Sequence, residues 1–473
     1  MSIINVITNQ IKAAIGYKQN FDELIASGDI NRAITYMEDR TGEVEVALKE
    51  SDVNSHEIMS RQDKAIHDKN GNFVRYEKRW KLPVPYQAFI NEIALVFLYG
   101  RPVKWMQKTK DTDVAFEAFT DMLKTVRFDS KIRQAKRMAG AETESAMLFR
   151  VFRTDDDKSD CQVKVLAKSL GDEIKIIWDE YGNMVAFGWG YYTKSFSETM
   201  YNFNIYTADS EYHCKRGSFL KGWEITTINN EIGKIPVIYF RQNKEHEGVQ
   251  YLIDREEFVG SKTADVNDYF ADPIAILDAS VIKNMPEKKE EAKLLIVDSQ
   301  KGVDAAKYLT WDSASESKEN EMKWLEKHIL TKSFTPNFDY ESLKGISTMS
   351  GKALQQMMLL ADIKSAKQKE THDELLDRVA GLCKSIIGNI LNISLKSEMD
   401  KLIINHEFQA PFGEDIVETI TTLSKAYEIG GISLKTFVEL NPLVKDAASE
   451  MDRLKSESAE KAKLQSDVFS QVN

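Results

Sequence analysis

From Ser350 to Asn392 the chain contains no proline, and Leu375, Val379, Leu382, Ile386 and Ile390 recur every three or four residues. That spacing puts one apolar stripe on a single helix, which at ~1.5 Å per residue reaches about 65 Å. A helix of that length is a strut that other elements are built around, not an ordinary core helix. The remainder of the chain must therefore be arranged along it. With 473 residues the chain is long enough for about three units at ~150 residues each. A hydrophobic content of 42% against 29% charged residues supports a sizeable core and excludes wholesale disorder. Nine prolines and 23 glycines exclude a collagenous or low-complexity chain.

No uncharged stretch in the N-terminal half approaches a bilayer span; Ile93–Gly100 is far too short. The opening residues, MSIINVITNQIKAAIGYK, carry no basic leader and apolar block, so neither a signal peptide nor a membrane anchor is expected. Ile3, Ile4, Ile7, Ile11 and Ile15 form a short apolar arm. Cys161, Cys214 and Cys383 are too scattered for a disulfide framework or a zinc site, and a reducing compartment is expected. The net charge of −11 argues against gripping nucleic acid by overall attraction. It leaves room for a protein past which a polyanion slides.

Residues 21–150 read as mostly helical, with Gly100 and Pro102 ending one helix ahead of an extended segment at Val103. Beyond 160 the period shifts from 3.6 to 2. Strands are expected at 162–166, 173–178, 184–192, 200–206, 211–215 and 223–228, forming an antiparallel meander whose aromatic residues pack on sheet faces. A heptad-like helix over 249–270, interrupted at Glu256 and Thr263, and a second over 317–334 flank a short mixed element at 274–311 with β-like runs at 274–277 and 294–297. A strand at 402–408 precedes a polar helical end; from Gly413 onward there are 11 acidic and seven basic residues. No internal repeat is evident.

The chemistry-bearing residues do not assemble into a catalytic pattern. The seven histidines contain no HExxH or i, i+4 pair, and His213–Cys214 are strand neighbours on opposite faces. Asp155–Asp156–Asp157 lacks the glycine and closing glutamate of a calcium loop and reads as a hairpin tip. Gly188–Trp189–Gly190 lies within a strand, where small residues permit a bulge or close packing. GISTMSGKA has the wrong spacing for a phosphate loop and places Ala353 where Ser or Thr must hold magnesium; Ser350 reads instead as a helix N-cap. No metal, cofactor or enzymatic activity is expected.

Several motifs, in order, resemble the portal proteins of tailed bacteriophages, the head–tail connectors through which DNA enters and leaves the capsid. They are INEIALVFLYGRPVKW; KIIWDEYGNMVAFGWGYY followed by YNFNIYTADSEYHCKRG; GKIPVIYFRQNKEHEG; LIDREEFVGSKTADVNDYFADPIAIL; STMSGKALQQMMLLADIKSAK; and ELNPLVKDAASEMDRLKSE. The resemblance covers about residues 20–460. One departure is Arg241–Gln242–Asn243, where many relatives carry an Asn–Asn pair.

The resemblance implies an α+β, predominantly helical ring subunit: an N-terminal arm (1–20), an α/β wing (21–243), a first stem helix (244–273), a small α/β clip (274–311), a second stem helix (312–335), a tunnel loop (336–349), a long wing helix with its return strand (350–412), and a helical crown with a polar tail (413–473). It implies a homo-dodecamer at one capsid vertex, in the virion and in host cytoplasm during assembly. It also implies partners: the terminase large subunit, head-completion or adaptor proteins, major capsid and scaffolding proteins, and double-stranded DNA in the channel, with no membrane. The tunnel loop, with Asn337, Phe338, Tyr340, Lys344 and Ser347, is the expected constriction; a plain connector between two helices is the other reading. Lys283, Lys288, Lys289, Lys293 and Lys301 are expected on the terminase- and adaptor-facing clip, and Asp254, Glu257, Lys262, Lys323 and Lys327 on the stem. The competing readings are a structural capsid or adaptor protein without a ring and a packaging ATPase, which the failed phosphate loop opposes.

Overall fold

The computed structural model describes residues 21–68, 70–156, 158–194, 199–216, 222–271, 274–278, 293–297, 306–309, 315–337, 351–411, 416–444 and 447–470. The chain divides into two compact units, one comprising 1–344 and 357–409, the other 345–356 and 410–473.

In the larger unit the N-terminal helices are α1 (Phe21–Ala26), α2 (Ile30–Tyr36) and α3 (Thr41–Ser51). A two-stranded hairpin follows, β1 (Lys64–His67) with β2 (Phe73–Glu77), inside a region whose sequence pattern is otherwise helical. Next come α4 (Tyr86–Tyr99), β3 (Lys104–Gln107), α5 (Asp113–Thr125) and α6 (Phe128–Glu142). Strands β4 (Glu144–Arg153) and β5 (Ser159–Leu166) form a hairpin, and β6 (Glu173–Trp178), β7 (Met184–Lys194), β8 (Thr199–Tyr206), β9 (Ser210–Arg216) and β10 (Trp223–Asn229) form a five-stranded antiparallel meander.

The strand β11 (Val237–Arg241) returns to pair antiparallel with β4, giving a second sheet of order β11-β4-β5. The run at 162–166, expected in the meander, thus belongs to this smaller sheet. Its residues explain why. On β4, Met147 and Phe149 face one hydrophobic cluster while Ala146 and Leu148 face another, and β11 divides Ile238 and Phe240 from Val237 and Tyr239 in the same way. Val163 and Val165 of β5 lie opposite Phe149 and Met147 in the ladder and enter the same cluster, which holds the run to β4.

The layers follow. Helices α1 and α2 cover one face of the meander through Leu24, Ile25, Ile30 and Ala33 against Ala186, Phe203, Ile205 and Cys214. Its opposite face meets the three-stranded sheet through Ile174, Ile176, Phe187 and Tyr206. The far side of that sheet packs on α4–α6 and on the long helix. Burying each of the Leu, Ile and Phe side chains among these contributes roughly 1.5–3 kcal/mol before entropy is counted. Gly188 and Gly190 allow the close contacts within the meander: a Cβ at 188 would lie 2.5 Å from Phe203 Cζ, and one at 190 the same distance from the Tyr201 hydroxyl.

After β11 come α7 (Gln250–Ala271), the strands β12 (Ile274–Asp278), β13 (Lys293–Val297) and β14 (Ala306–Leu309), and α8 (Ser315–Lys332). β12 pairs parallel with β13 and antiparallel with β14; the last strand, four residues among charges, gave no pattern in the sequence. The long helix α9 (Gly351–Ile386) buries Leu376, Val379, Leu382, Cys383 and Ile386. It does not continue to Asn392 as one α-helix. Ile387–Leu391 form a π turn, after which α10 (Lys396–Lys401) and β15 (Ile404–Glu407) follow, the strand pairing with β3.

The smaller unit holds α11 (Ile416–Glu428), α12 (Leu434–Leu440) and α13 (Ala447–Ser470). Gly430, at φ +74°, turns the chain between the first two, and Ser433 caps α12 by accepting from Thr436 N at 3.2 Å. Tyr427 and Phe437 meet with ring centroids 5.3 Å apart.

Candidate functional site

The helices α7 and α8 pack on each other, with Val249, Ile253 and Ile329 clustering on Ile90 of α4; Leu325 of α8 is buried as well. Arg255 Nη2 reaches Glu321 Oε1 across the pair at 2.7 Å. The buried stripe on α7 is not a plain apolar seam, because Glu256, Glu257 and Ser261 are buried too. Each has a partner that the sequence pattern did not disclose.

Glu257 Oε1 accepts from His56 Nδ1 at 2.7 Å and from the backbone N–H of Val84 at 2.8 Å. Ser261 Oγ accepts from Leu82 N at 2.9 Å, and Asp265 Oδ1 from Trp80 N at 2.8 Å. Alternate residues of an extended segment thereby meet every fourth residue of a helix. The match is geometric: two extended residues advance about 6.6 Å and four helical residues about 6 Å. Arg61 Nη2 adds a bond to Asp265 Oδ2 at 2.6 Å, and the Trp80 indole one to Asp268 Oδ2 at 2.6 Å. Polar residues four apart on a helix read as a solvated face; here Glu257, Ser261 and Asp265 dock a backbone.

Glu256 differs in its partner, a tyrosine hydroxyl. Tyr86 donates to its Oε1 at 2.9 Å, and its Oε2, like that of Glu257, is buried without a hydrogen-bond partner among the described residues. Burial, with the carboxylates of Glu326 and Glu257 nearby, pushes its pKa up to about 7, against the pull of the Tyr86 bond.

At the root of α7 the connector residue Glu245 sits among Lys136, Lys364, Gln242 and Gln368. Burial alone would raise its pKa, but the Lys136 and Lys364 ammonium groups hold it down at about 2. Lys364 Nζ also donates to Glu245 O at 2.9 Å and to Ser333 O at 3.2 Å, the latter just past the end of α8. The connector leading into one helix and the residue following the other are therefore fixed to a single lysine of α9. A cavity of about 350 Å³ lies beside this cluster, lined also by Lys332, Phe334, Lys367 and His372.

Of the expected stem residues, Glu257 is interior and serves the docking just described. Asp254 accepts from Gln250 Nε2 at 2.8 Å, Lys323 pairs with Glu319 at 2.5 Å, and Lys262 and Lys327 are exposed. Asn337 is exposed at the end of the described run after α8. Phe338, Tyr340, Lys344 and Ser347 lie outside the described residues, as do Lys283, Lys288, Lys289 and Lys301. Lys293 begins β13, in register with Ile274 of β12.

The outward stripe of α7 carries Tyr251, Arg255, Phe258, Lys262 and Tyr269, with Tyr251 88% exposed. Among the described residues no group of acids, histidines and cysteines could hold a metal ion, and no helix is long and apolar enough to cross a membrane.

The family model described as "Phage portal protein, SPP1 Gp6-like" matches residues 43–464. The chain belongs to this portal protein family. The α+β portal-type fold is thereby shown, and the family is structural rather than enzymatic, a component of the phage virion. No curated protein matches the chain. Among solved structures, a chain described as "Neck of native GTA particle computed with C12 symmetry" is similar at 10% identity, covering 76% of this chain and 90% of that one, with a TM-score of 0.40.

Proposed function

We propose that this portal protein forms a closed dodecameric ring at one capsid vertex, a channel for DNA during packaging and ejection and a docking site for terminase, head-completion or adaptor proteins, capsid and scaffolding proteins. The observation that carries the reading is the family match over residues 43–464. Two features of the molecule support an assembly. The α7 stripe exposes Tyr251, Phe258 and Tyr269 on one helix face, apolar area that a neighbour would remove from water. In the smaller unit Val438 is the one buried apolar side chain among the described residues, while Ile429, Leu440 and Leu443 are exposed. A heterologous contact repeated around a ring covers such surfaces equally in every subunit.

In this reading residues 21–243 are the wing, α7 and α8 lie in the two stem segments, 274–311 is the clip and 413–473 the crown. The loop 336–349 lines the constriction, with Lys344 its only basic side chain. Repeated around a ring, one lysine becomes a band of charge, and a mildly acidic wall elsewhere keeps DNA from being anchored by counterion release. The clip lysines at 283, 288, 289, 293 and 301 face the terminase.

Negative-stain imaging of the purified chain, with native mass on the same sample, tests this. Closed rings with a central hole are expected. A compact monomer at every salt and protein concentration would replace the reading with that of a capsid or adaptor protein that forms no ring.

A further inference from the structure

The β1–β2 hairpin has no cover. Its two strands form a sheet of their own, every residue of β2 is exposed, and on β1 only Ile66 is half-buried. A lone two-stranded hairpin is marginal in water, yet this one is held firmly at its base. Arg79 N donates to Asp63 Oδ1 at 3.1 Å, Lys81 Nζ to Met59 O at 3.0 Å, and Arg61 and Trp80 are tied to Asp265 and Asp268 of α7. The tip is closed by Asp68, which accepts from Asn70 N and Asn72 N, each at 2.8 Å. A segment so braced, with Phe73, Val74 and Tyr76 all more than half exposed, is presented rather than loose.

We infer that the β1–β2 hairpin is an arm that clasps a second copy of this chain, an interface additional to the α7 stripe; it rests on the ring reading above. Three observations choose that occupant. Residues 61–81 carry seven basic and three acidic side chains in a chain of net charge −11, so the arm complements the surface of another copy. The outer edges of both strands have no strand neighbour among the described residues and offer backbone groups to a polypeptide. The arm is also continuous with the outward stripe of α7, since the Arg61 guanidinium lies 5.9 Å from the centroid of Phe258. A nucleic acid would match the basic residues but not Val74 or the free strand edges.

The test uses the full chain. Light- and heavy-nitrogen protomers are mixed, assembled, and treated with a carbodiimide that joins lysines to adjacent carboxylates. Heavy–light peptides from Lys64 or Lys78 to a carboxylate of another subunit are expected, together with loss of rings at lower salt in Arg75→Glu/Lys78→Glu. These side chains are exposed and make none of the base contacts, and circular dichroism of the variant checks its fold. Rings that form normally, give only same-chain links, and are untouched by the double variant would overturn the arm and leave the ring reading standing. Unchanged rings with weakened DNA retention in that variant would overturn it in favour of nucleic acid. Absence of rings from the unaltered chain would overturn both.

Discussion

Lys364 Nζ lies 2.8 Å from Glu245 Oε2, and this contact joins the middle of the longest helix to the connector from which α7 springs. The same ammonium also holds Ser333 O at the end of α8. Lys364→Met would leave the buried Glu245 carboxylate with Lys136 as its only cation and release the connector before α7 and the residue after α8. A loss of about 3–5 kcal/mol in urea unfolding is expected, the range for removing one partner of a buried ion pair. An unchanged midpoint would show that α7 and α8 are fixed elsewhere.

Glu256 makes a prediction in the neutral range. Its folded pKa of about 7 lies above the ordinary 4.5, so the native state holds a proton that the unfolded chain releases. Stability from this site is full below about 4.5 and declines as pH rises through 7. The groups facing it are Tyr86, Glu257 on its own helix and Glu326 on α8. Thermal melts from pH 5 to 8 are expected to show Tm falling, and Glu256→Gln to flatten that slope. A slope that survives the substitution would assign it to another group.

Gly188→Ala places a methyl where Phe203 Cζ stands 2.5 Å away. Phe203 is fully buried beneath α1 and α2 and has little room to retreat. Overpacking of this kind costs about 1–3 kcal/mol. Chemical denaturation of the variant measures it, and a neutral result would mean the meander shifts to accommodate the methyl.

For the proposed docking face, Lys288→Glu combined with Lys289→Glu is expected to weaken terminase binding while rings assemble as before. A pull-down with terminase and a packaging assay read the two effects separately. Normal packaging would remove these lysines from the docking face.

Much of the fold was legible because its elements obey their periods. The long helix announced itself through Val379, Leu382 and Ile386, and the meander through alternation such as Phe203 and Ile205 against Asn202 and Asn204. The β1–β2 hairpin was not, since with nearly every residue exposed it carries no buried face and hence no alternation. The π turn at Ile387–Leu391 escaped because its apolar spacing continues that of the helix before it. Around α7 the difficulty was chemical. Glu257 and Asp265 look like solvent-facing acids in the sequence, and only the distant segment at 80–84 shows that they are acceptors for a backbone.

That docking of 80–84 on α7 restricts how the two pieces can change length. Because three amides two residues apart meet three side chains four residues apart, one residue inserted between Glu257 and Asp265 would rotate the later acceptor about 100° away from its amide. Viable insertions there are close to whole turns in the helix, matched by pairs of residues in the segment. Length variation among functional versions of this chain should therefore collect outside the docked stretch, and any grafting of one helix onto another body must carry its extended partner with it.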